Sequence, residues 1–262
     1  MRVYIGYDPR DHDAYTVLEH SIRENTACPV DIVPIKEWEL RHKGFFWRSW
    51  HMDAKGQMWD DRDGKPFSTQ FSFTRFAVPL LQNHTSEWVL FLDADMMFKD
   101  DIKELFALAD NEYDVMCVQH QHQPNEALKM DGMIQSAYRR KNWSSVMLIK
   151  PSRCRVLDKY ALNNWSGGDL HGMKWAEKIG KLPEAWNFLA GYDDPSTAPK
   201  NVHFTLGTPD MQGMNAPRTP YDAEWWDVLD RAKKGICDAP PSRKQSRRRL
   251  GFMSASGFIS TN

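Results

Sequence analysis

Cysteine is scarce. The 262 residues hold four, Cys28, Cys117, Cys154 and Cys237, and no two form a Cys-x-x-Cys pair. That excludes a zinc ribbon and a thioredoxin-type motif. A chain of this length buries a large core without cross-links, so the cysteines read as reduced packing residues. Long apolar runs are also missing. No window approaches roughly 18 apolar residues, and no membrane-spanning helix is expected. The opening Met1-Arg2-Val3-Tyr4-Ile5 has no apolar stretch of signal-peptide length, which sets the expectation of a cytoplasmic protein. Neither sign of charge is in excess: Lys+Arg 34 against Asp+Glu 35 leaves a net charge of −1. A dedicated nucleic-acid binder carries a basic surplus, so no nucleic-acid partner is expected. What is abundant is Trp, at 11, and Met, at 13. These suit a bulky core, or an open site where aromatics meet sugars or bases; composition alone favours the core.

The apolar pattern predicts an α/β chain. Val3 to Tyr7 reads as a buried strand closed by the turn Asp8-Pro9-Arg10-Asp11. Ala14, Val17, Leu18, Ser21 and Ile22 recur at helical spacing and predict a helix over 12–24. Val30 to Ile35 reads as a second strand with an irregular end at Pro34. This βαβ opening predicts a parallel sheet covered by helices. Residues 36–70 lack periodicity and read as a long aromatic loop, either functional or lid-like. A helix bent or ended by Pro79 is expected over 71–83, and the strongest buried strand at Trp88 to Leu92. Further helices are expected at 101–109 and 154–162, and strands at 114–118, 145–149 and 201–205. Residues 1–230 read as a single domain. Residues 231–262 read as a basic appendage or tail, with five basic residues in 243–249.

Four features carry chemistry. Asp93-Ala94-Asp95 follows the buried strand directly. Carboxylates two residues apart point the same way in an extended chain, at the sheet edge where α/β folds bind ligands. They suit Mg²⁺ or Mn²⁺ holding a nucleotide diphosphate, although Asp-x-Asp also describes a solvated turn. His203 is a third ligand type for Mn²⁺, and Gly207 lets backbone approach a phosphate; the alternative is a satisfied core histidine. Gly6-Tyr7-Asp8 ends the first strand, where Tyr7 can stack on a base and Asp8 accept from base or ribose, or the three simply form a turn. Arg75 lies among apolar neighbours and either snorkels or faces an anion.

In order, these pieces resemble a nucleotide-sugar glycosyltransferase of the GT-A fold, with glycosyltransferase family 8 and its bacterial and phage relatives nearest. The matching stretches are Ile5-Gly6-Tyr7-Asp8, Phe73-Thr74-Arg75-Phe76, Val89 to Asp95, Ser144-Ser145-Val146-Met147-Leu148, Ile179 to Pro183, Trp186-Asn187 and His203 to Gly207. The resemblance implies a Rossmann-like mixed sheet flanked by helices. It implies Asp93, Asp95 and His203 as ligands of Mn²⁺ or Mg²⁺. It implies Gly6, Tyr7 and Asp8 at the nucleotide base, with Arg75, Asp93, Ala94 and Gly207 also on the donor side. The activity implied is transfer of a hexose from a nucleotide-sugar, a UDP-sugar, to a glycan or glycolipid hydroxyl with retention. Asp169, in Gly167-Gly168-Asp169, is the candidate acidic residue near the acceptor.

Two departures from the family pattern stand out. The run after His203 is Gly207-Thr208-Pro209-Asp210 and lacks the family's lysine, leaving the diphosphate short of one positive charge. The sugar-contacting asparagine is missing or shifted to Asn142. An inactive GT-A-like sugar- or nucleotide-binding protein is therefore the alternative. A nucleotidyltransferase ranks low, because the first turn is not a Gly-rich basic loop. The 243–249 run reads as a solvated segment, or as a peripheral contact to anionic membrane.

Overall fold

A computed structural model describes residues 1–121, 140–194, 196–214 and 219–236. The basic run 243–249, Cys237 and the tail expected beyond residue 236 lie outside the described residues. The strands are β1 (Arg2–Tyr7), β2 (Asp31–Lys36), β3 (Trp50–Met52), β4 (Met58–Asp60), β5 (Pro66–Phe67), β6 (Val89–Leu92), β7 (Met96–Phe98), β8 (Val115–Cys117), β9 (Val146–Ile149), β10 (Ile179–Lys181), β11 (Phe188–Leu189) and β12 (Asn201–His203). The α-helices are α1 (His12–Asn25), α2 (Glu37–His42), α3 (Phe71–Thr74), α4 (Val78–Leu81), α5 (Ile102–Phe106), α6 (Lys159–Asn164), α7 (Gly167–His171) and α8 (Asp222–Lys234). None of the described helices is long and apolar enough to cross a membrane.

Six strands form the central sheet in the order β10-β8-β9-β6-β1-β2. β1 runs parallel to both β2 and β6, and β9 runs antiparallel between β6 and β8. The expected βαβ opening is present, within a mixed sheet. From β1 the chain passes to β2 on one side, while β6 takes the other side. That reversal opens a crevice at the carboxyl ends of β1 and β6, where open α/β sheets bind ligands. β6 is buried along its whole length, as its unbroken apolar run requires. Pro34 sits in β2, at the sheet edge, where a missing N–H costs no ladder bond. Cys117 and Cys154 are buried in the core, and burial pushes both thiols up to about 12, as inert packing residues should be.

A second sheet, β11-β12-β7, packs under α1 and α8. Its core holds Val17, Met97, Val202, Phe204, Trp225 and Leu229. The buried Ser21 hydroxyl of α1 accepts from Phe98 N at 3.0 Å, which fixes β7 beneath the helix. α8 runs across residue 231, and Arg231 forks onto Glu24 of α1 at 2.8 and 2.9 Å.

Residues 36–70 are not a loop. They form α2 and a three-stranded antiparallel meander, β3-β4-β5. Strands of two or three residues are too short to display a period of two, so the pattern was invisible in the sequence. The meander is pinned by Arg48, whose guanidinium meets Asp60 through two bonds of 2.6 and 2.7 Å. Both side chains are about 1% exposed. Arg48 also donates to Trp165 O at 2.7 Å and lies over the Phe73 ring at 4.1 Å. The expected helix over 71–83 is broken into α3, a 3-10 turn at Arg75–Ala77, and α4, with Pro79 in the first turn of α4. The helix expected at 154–162 starts later. Asp158 caps α6 by accepting from Ala161 N at 2.7 Å, and Cys154 and Leu157 enter the core ahead of the helix.

Removing one partner of a buried ion pair strands the other charge. Asp60→Asn is expected to lower stability by about 3 kcal/mol. Urea unfolding followed by tryptophan fluorescence measures it. A loss under about 1 kcal/mol would mean that the pair behaves like a surface bridge.

Candidate functional site

Asp93 and Asp95 lie in the bend between β6 and β7, so the first carboxylate is placed by the central sheet and the second by the smaller one. Asp93 N donates to Ser145 O at 2.9 Å, extending the β6–β9 ladder by one step. On the other side, β12 pairs antiparallel with β7, setting His203 opposite Met96. Phe204 N then donates to Asp95 O at 2.9 Å. These two extensions draw three ligand atoms, from Asp93, Asp95 and His203, to within 4.8 Å of one another. His203 Nε2 is 3.3 Å from Asp95 Oδ1.

The tautomer of His203 follows from its neighbours. Asn187 Nδ2 donates to Asn142 O at 3.1 Å, so its Oδ1 faces His203 Nδ1 at 2.8 Å and must accept. Nδ1 therefore carries a proton, and Nε2 is turned toward Asp95. A histidine held by such a partner is the usual arrangement of a metal ligand. Asn187 is fully buried and was not singled out for any role in the sequence, where it stands only as part of Trp186-Asn187.

Arg75 is buried, and its Nη1 lies 2.7 Å from Asp93 Oδ1 while donating to Ser144 O at 3.0 Å. Of the two readings of Arg75, it faces an anion, and that anion is Asp93. Burial pushes the Asp93 carboxyl above the ordinary aspartate value against the pull of Arg75, and the Asp95 carboxylate adds to the rise. Asp93 Oδ1 is buried and accepts no aligned hydrogen bond among the described residues. Two carboxylates and an imidazole suit Mn²⁺ by ligand type, and a carboxylate whose charge burial disfavours gains most from a cation. The three residues therefore fit the metal that the family resemblance implies.

These groups line a cavity of about 370 Å³, within the range of small-ligand sites. Lys65 to Thr69 and Phe71 to Phe73, from the meander and the segment running into α3, line it as well. Asn142, Ser145, Gly167, Gly168, His171 and Thr205 complete the lining with Lys141 and Asp63. Asn142 adopts the left-handed conformation at φ 62°, and its buried Nδ2 has no hydrogen-bond partner among the described residues. His171 is held well below the ordinary histidine value by burial, with the charges of Arg75 and Lys141 adding to the effect, so it is neutral.

Several expected residues are not brought into this lining. Gly6 is needed for packing: a Cβ there would meet the Phe71 ring at 2.5 Å. Tyr7 sits among His12, Tyr15 and Trp38 with edge-on contacts. The Asp8 carboxylate is fully buried and engaged by Arg10 at 2.7 Å and Gln70 N at 3.0 Å. Those bonds outweigh burial and hold its pKa below the ordinary value. Asp8 thus shapes the segment leading into α3. Gly207 has φ +115° and closes a turn onto Phe204 O at 2.7 Å, outside the lining. Ala94 is buried between the two aspartates. Asp169 is the third residue of α7, where Ser166 caps its N–H at 3.0 Å and Lys174 pairs with its carboxylate; it too is outside the lining.

No protein-family profile matches the chain. Solved glycosyltransferases share its fold. GlyE of Streptococcus pneumoniae TIGR4 aligns over 87% of this chain at a TM-score of 0.53 and 16% identity, and this chain spans 59% of GlyE. The galactosyltransferase LgtC, solved in complex with donor and acceptor sugar analogues, aligns over 88% of this chain and 95% of its own, at a TM-score of 0.53 and 11% identity. The fold is the GT-A glycosyltransferase fold, as the resemblance to family 8 implied. By sequence the chain is 42% identical over 218 residues to Protein CDI of Arabidopsis thaliana, covering 80% of this chain and 79% of that protein. It belongs to the family of Protein CDI.

Two measurements follow from this geometry. Asn187→Leu is expected to weaken Mn²⁺ binding about 10- to 100-fold, read by titration calorimetry; an unchanged affinity would mean that His203 needs no orienting partner. A proton competes with the metal at Asp93, so Mn²⁺ affinity should fall as pH drops through the raised value. Arg75→Gln removes the opposing charge and should move that fall to higher pH; a shift to lower pH would refute the assignment of the competing proton to Asp93.

Proposed function

We propose that the chain is a metal-dependent glycosyltransferase. It moves a hexose from a nucleotide-sugar, a UDP-sugar, to a hydroxyl of a glycan or glycolipid acceptor, with retention. The observation that carries this reading is the meeting of Asp93, Asp95 and His203 at the wall of a cavity on the ligand-binding edge of a GT-A sheet. Mn²⁺ is the expected metal, held through carboxylate oxygens of Asp93 and Asp95 and through His203 Nε2. When bound it would neutralise the departing diphosphate and orient the donor. Asn187 keeps the imidazole proton on Nδ1, away from the metal side. Asn142 Nδ2 offers a buried donor to a sugar oxygen, which suits the shifted family asparagine. Phe67, Phe71 and Phe73 add apolar surface to the cavity lining and would limit water at the reacting carbon. Arg75 balances Asp93 when no cation does.

Thermal unfolding across a panel of nucleoside diphosphates, with and without Mn²⁺, tests the reading. UDP at 100 times its dissociation constant should stabilise the protein by about 2.7 kcal/mol, and only with Mn²⁺ present. Asp93→Ala and Asp95→Ala should abolish the shift and sugar transfer together. Stabilisation by sugars that ignores both Mn²⁺ and nucleotide would instead support an inactive binding protein.

A further inference from the structure

We propose that His120, Glu184 and Asp193 form a second divalent-cation site, besides the one at Asp93, Asp95 and His203. One imidazole nitrogen and two carboxylate oxygens, one from each residue, lie within 4.8 Å of one another. An ion bonded at about 2.2 Å holds its ligand atoms no more than about 4.4 Å apart. Little movement is needed to close the set, and the exposed Glu184 has room for it. His120 is largely withdrawn from solvent and Asp193 is half-buried, so an ion here would be bound by protein and not merely attracted to an acidic surface.

The backbone itself brings the three residues together. β8 and β10 run parallel with Lys181 opposite Cys117, and Leu182 N donates to Cys117 O at 2.9 Å. The two chains leave the sheet in step, and three residues further on they carry Glu184 and His120. Trp143 Nε1 donates to His120 O at 2.9 Å and anchors that end. Glu184 opens the 3-10 turn Glu184–Asn187, which leads into β11. Beyond β11 the chain doubles back at Gly191, φ +86°, and Asp193 N donates to Leu189 O at 3.0 Å. Leu189 N donates in return to Asp193 Oδ2 at 2.7 Å, which holds the carboxylate in place.

The local electrostatics favour a cation. Burial pushes the Asp193 carboxyl above the ordinary aspartate value in spite of the Leu189 bond, and the Glu184 carboxylate adds to the rise. A divalent ion relieves both effects. The donor set repeats that of Asp93, Asp95 and His203, so the same class of ion, Mn²⁺, suits both. β8 and β10 run in the direction of β6, which puts the second set at the same carboxyl edge of the sheet. The two sets are also joined. The turn that starts at Glu184 ends at Asn187, the partner of His203, and Ala190 N donates to His203 O at 3.0 Å. An ion on Glu184 therefore fastens the turn that orients His203. None of this depends on the glycosyltransferase reading.

The test is Mn²⁺ binding to the full chain, counted from the electron paramagnetic resonance signal of the unbound ion. Wild type is expected to bind two ions. Asp95→Ala and His120→Ala should each bind one, and the double variant none. Near-ultraviolet circular dichroism shows whether His120→Ala is folded. If it is not, Glu184→Gln, at an exposed position, takes its place. That change should weaken one of the two ions more than about tenfold, since even an outer partner of a metal ligand is worth that much. Wild type that binds a single ion, lost in Asp95→Ala and unaffected by His120→Ala and Glu184→Gln, would overturn the second site and leave the first intact. So would two ions that neither His120→Ala nor Glu184→Gln disturbs. An ion lost in Glu184→Gln but fully kept in Asp95→Ala would uphold the second site and overturn the first, and with it the metal-dependent reading. Wild type that binds no Mn²⁺ would overturn both.

Discussion

The hydrogen bond from Phe204 N to Asp95 O decides whether this chain has a site at all. It continues the β7–β12 ladder one residue past the strands. Because side chains alternate along a strand, a one-residue slip in this register would turn His203 away from the aspartates. The register is protected by burial: Met97 and Val202, opposite each other, sit in the core beneath α1 and α8. Ser21 and Asn25 of α1 reinforce it by bonding both the N–H and the carbonyl of Phe98. The second sheet is thus a device for carrying a distant histidine to the end of the central one.

The ion pair of Arg75 and Asp93 carries a different cost. Buried ion pairs often repay little of their desolvation. Here Arg75 also lies over the rings of Phe71 and Phe91 and donates to Phe71 O and Ser144 O, so it is tied to the fold by more than Asp93. It can stay in place when a cation takes over the carboxylate. On the proposed reading the pair would serve as a stand-in charge that a divalent cation displaces, and it keeps the buried Asp93 carboxylate tolerable without one.

Legibility in the sequence followed locality. β1, α1, β6 and β9 were readable because each is a single run of apolar residues with one period. Asp93 and Asp95 were readable for the same reason, lying beside β6. The meander was not, since strands of three, three and two residues carry no pattern. The helix near residue 160 starts later than expected, because Asp158 supplies the cap that begins it. Asn187 owes its position to contacts across the fold, and no local signal marks it. Asp8 and Asp169 are the reverse case. Both stand where family chemistry would place a ligand group, and both are engaged by neighbours that the sequence did not show, Asp8 by Arg10 and Gln70, Asp169 by Lys174.

The 36–70 segment, open to a lid-like reading in the sequence, is better described as a fixed wall. Four side-chain bonds tie it to the turn around α6 and α7: Trp47 N to Asn163, Arg48 to Trp165 O, Arg62 to Asn164 O, and Asp63 to Gly167 N. Swinging it away would expose the Arg48–Asp60 pair and break these bonds together, and motions that costly are not gating motions. The cavity is therefore shaped before any ligand arrives. On the proposed reading, selectivity for a sugar would come from lining residues already in place, Phe67, Phe71, Phe73, Asn142 and Ser145. A preformed wall costs no ordering on binding, which is the physical advantage of building it from a pinned meander.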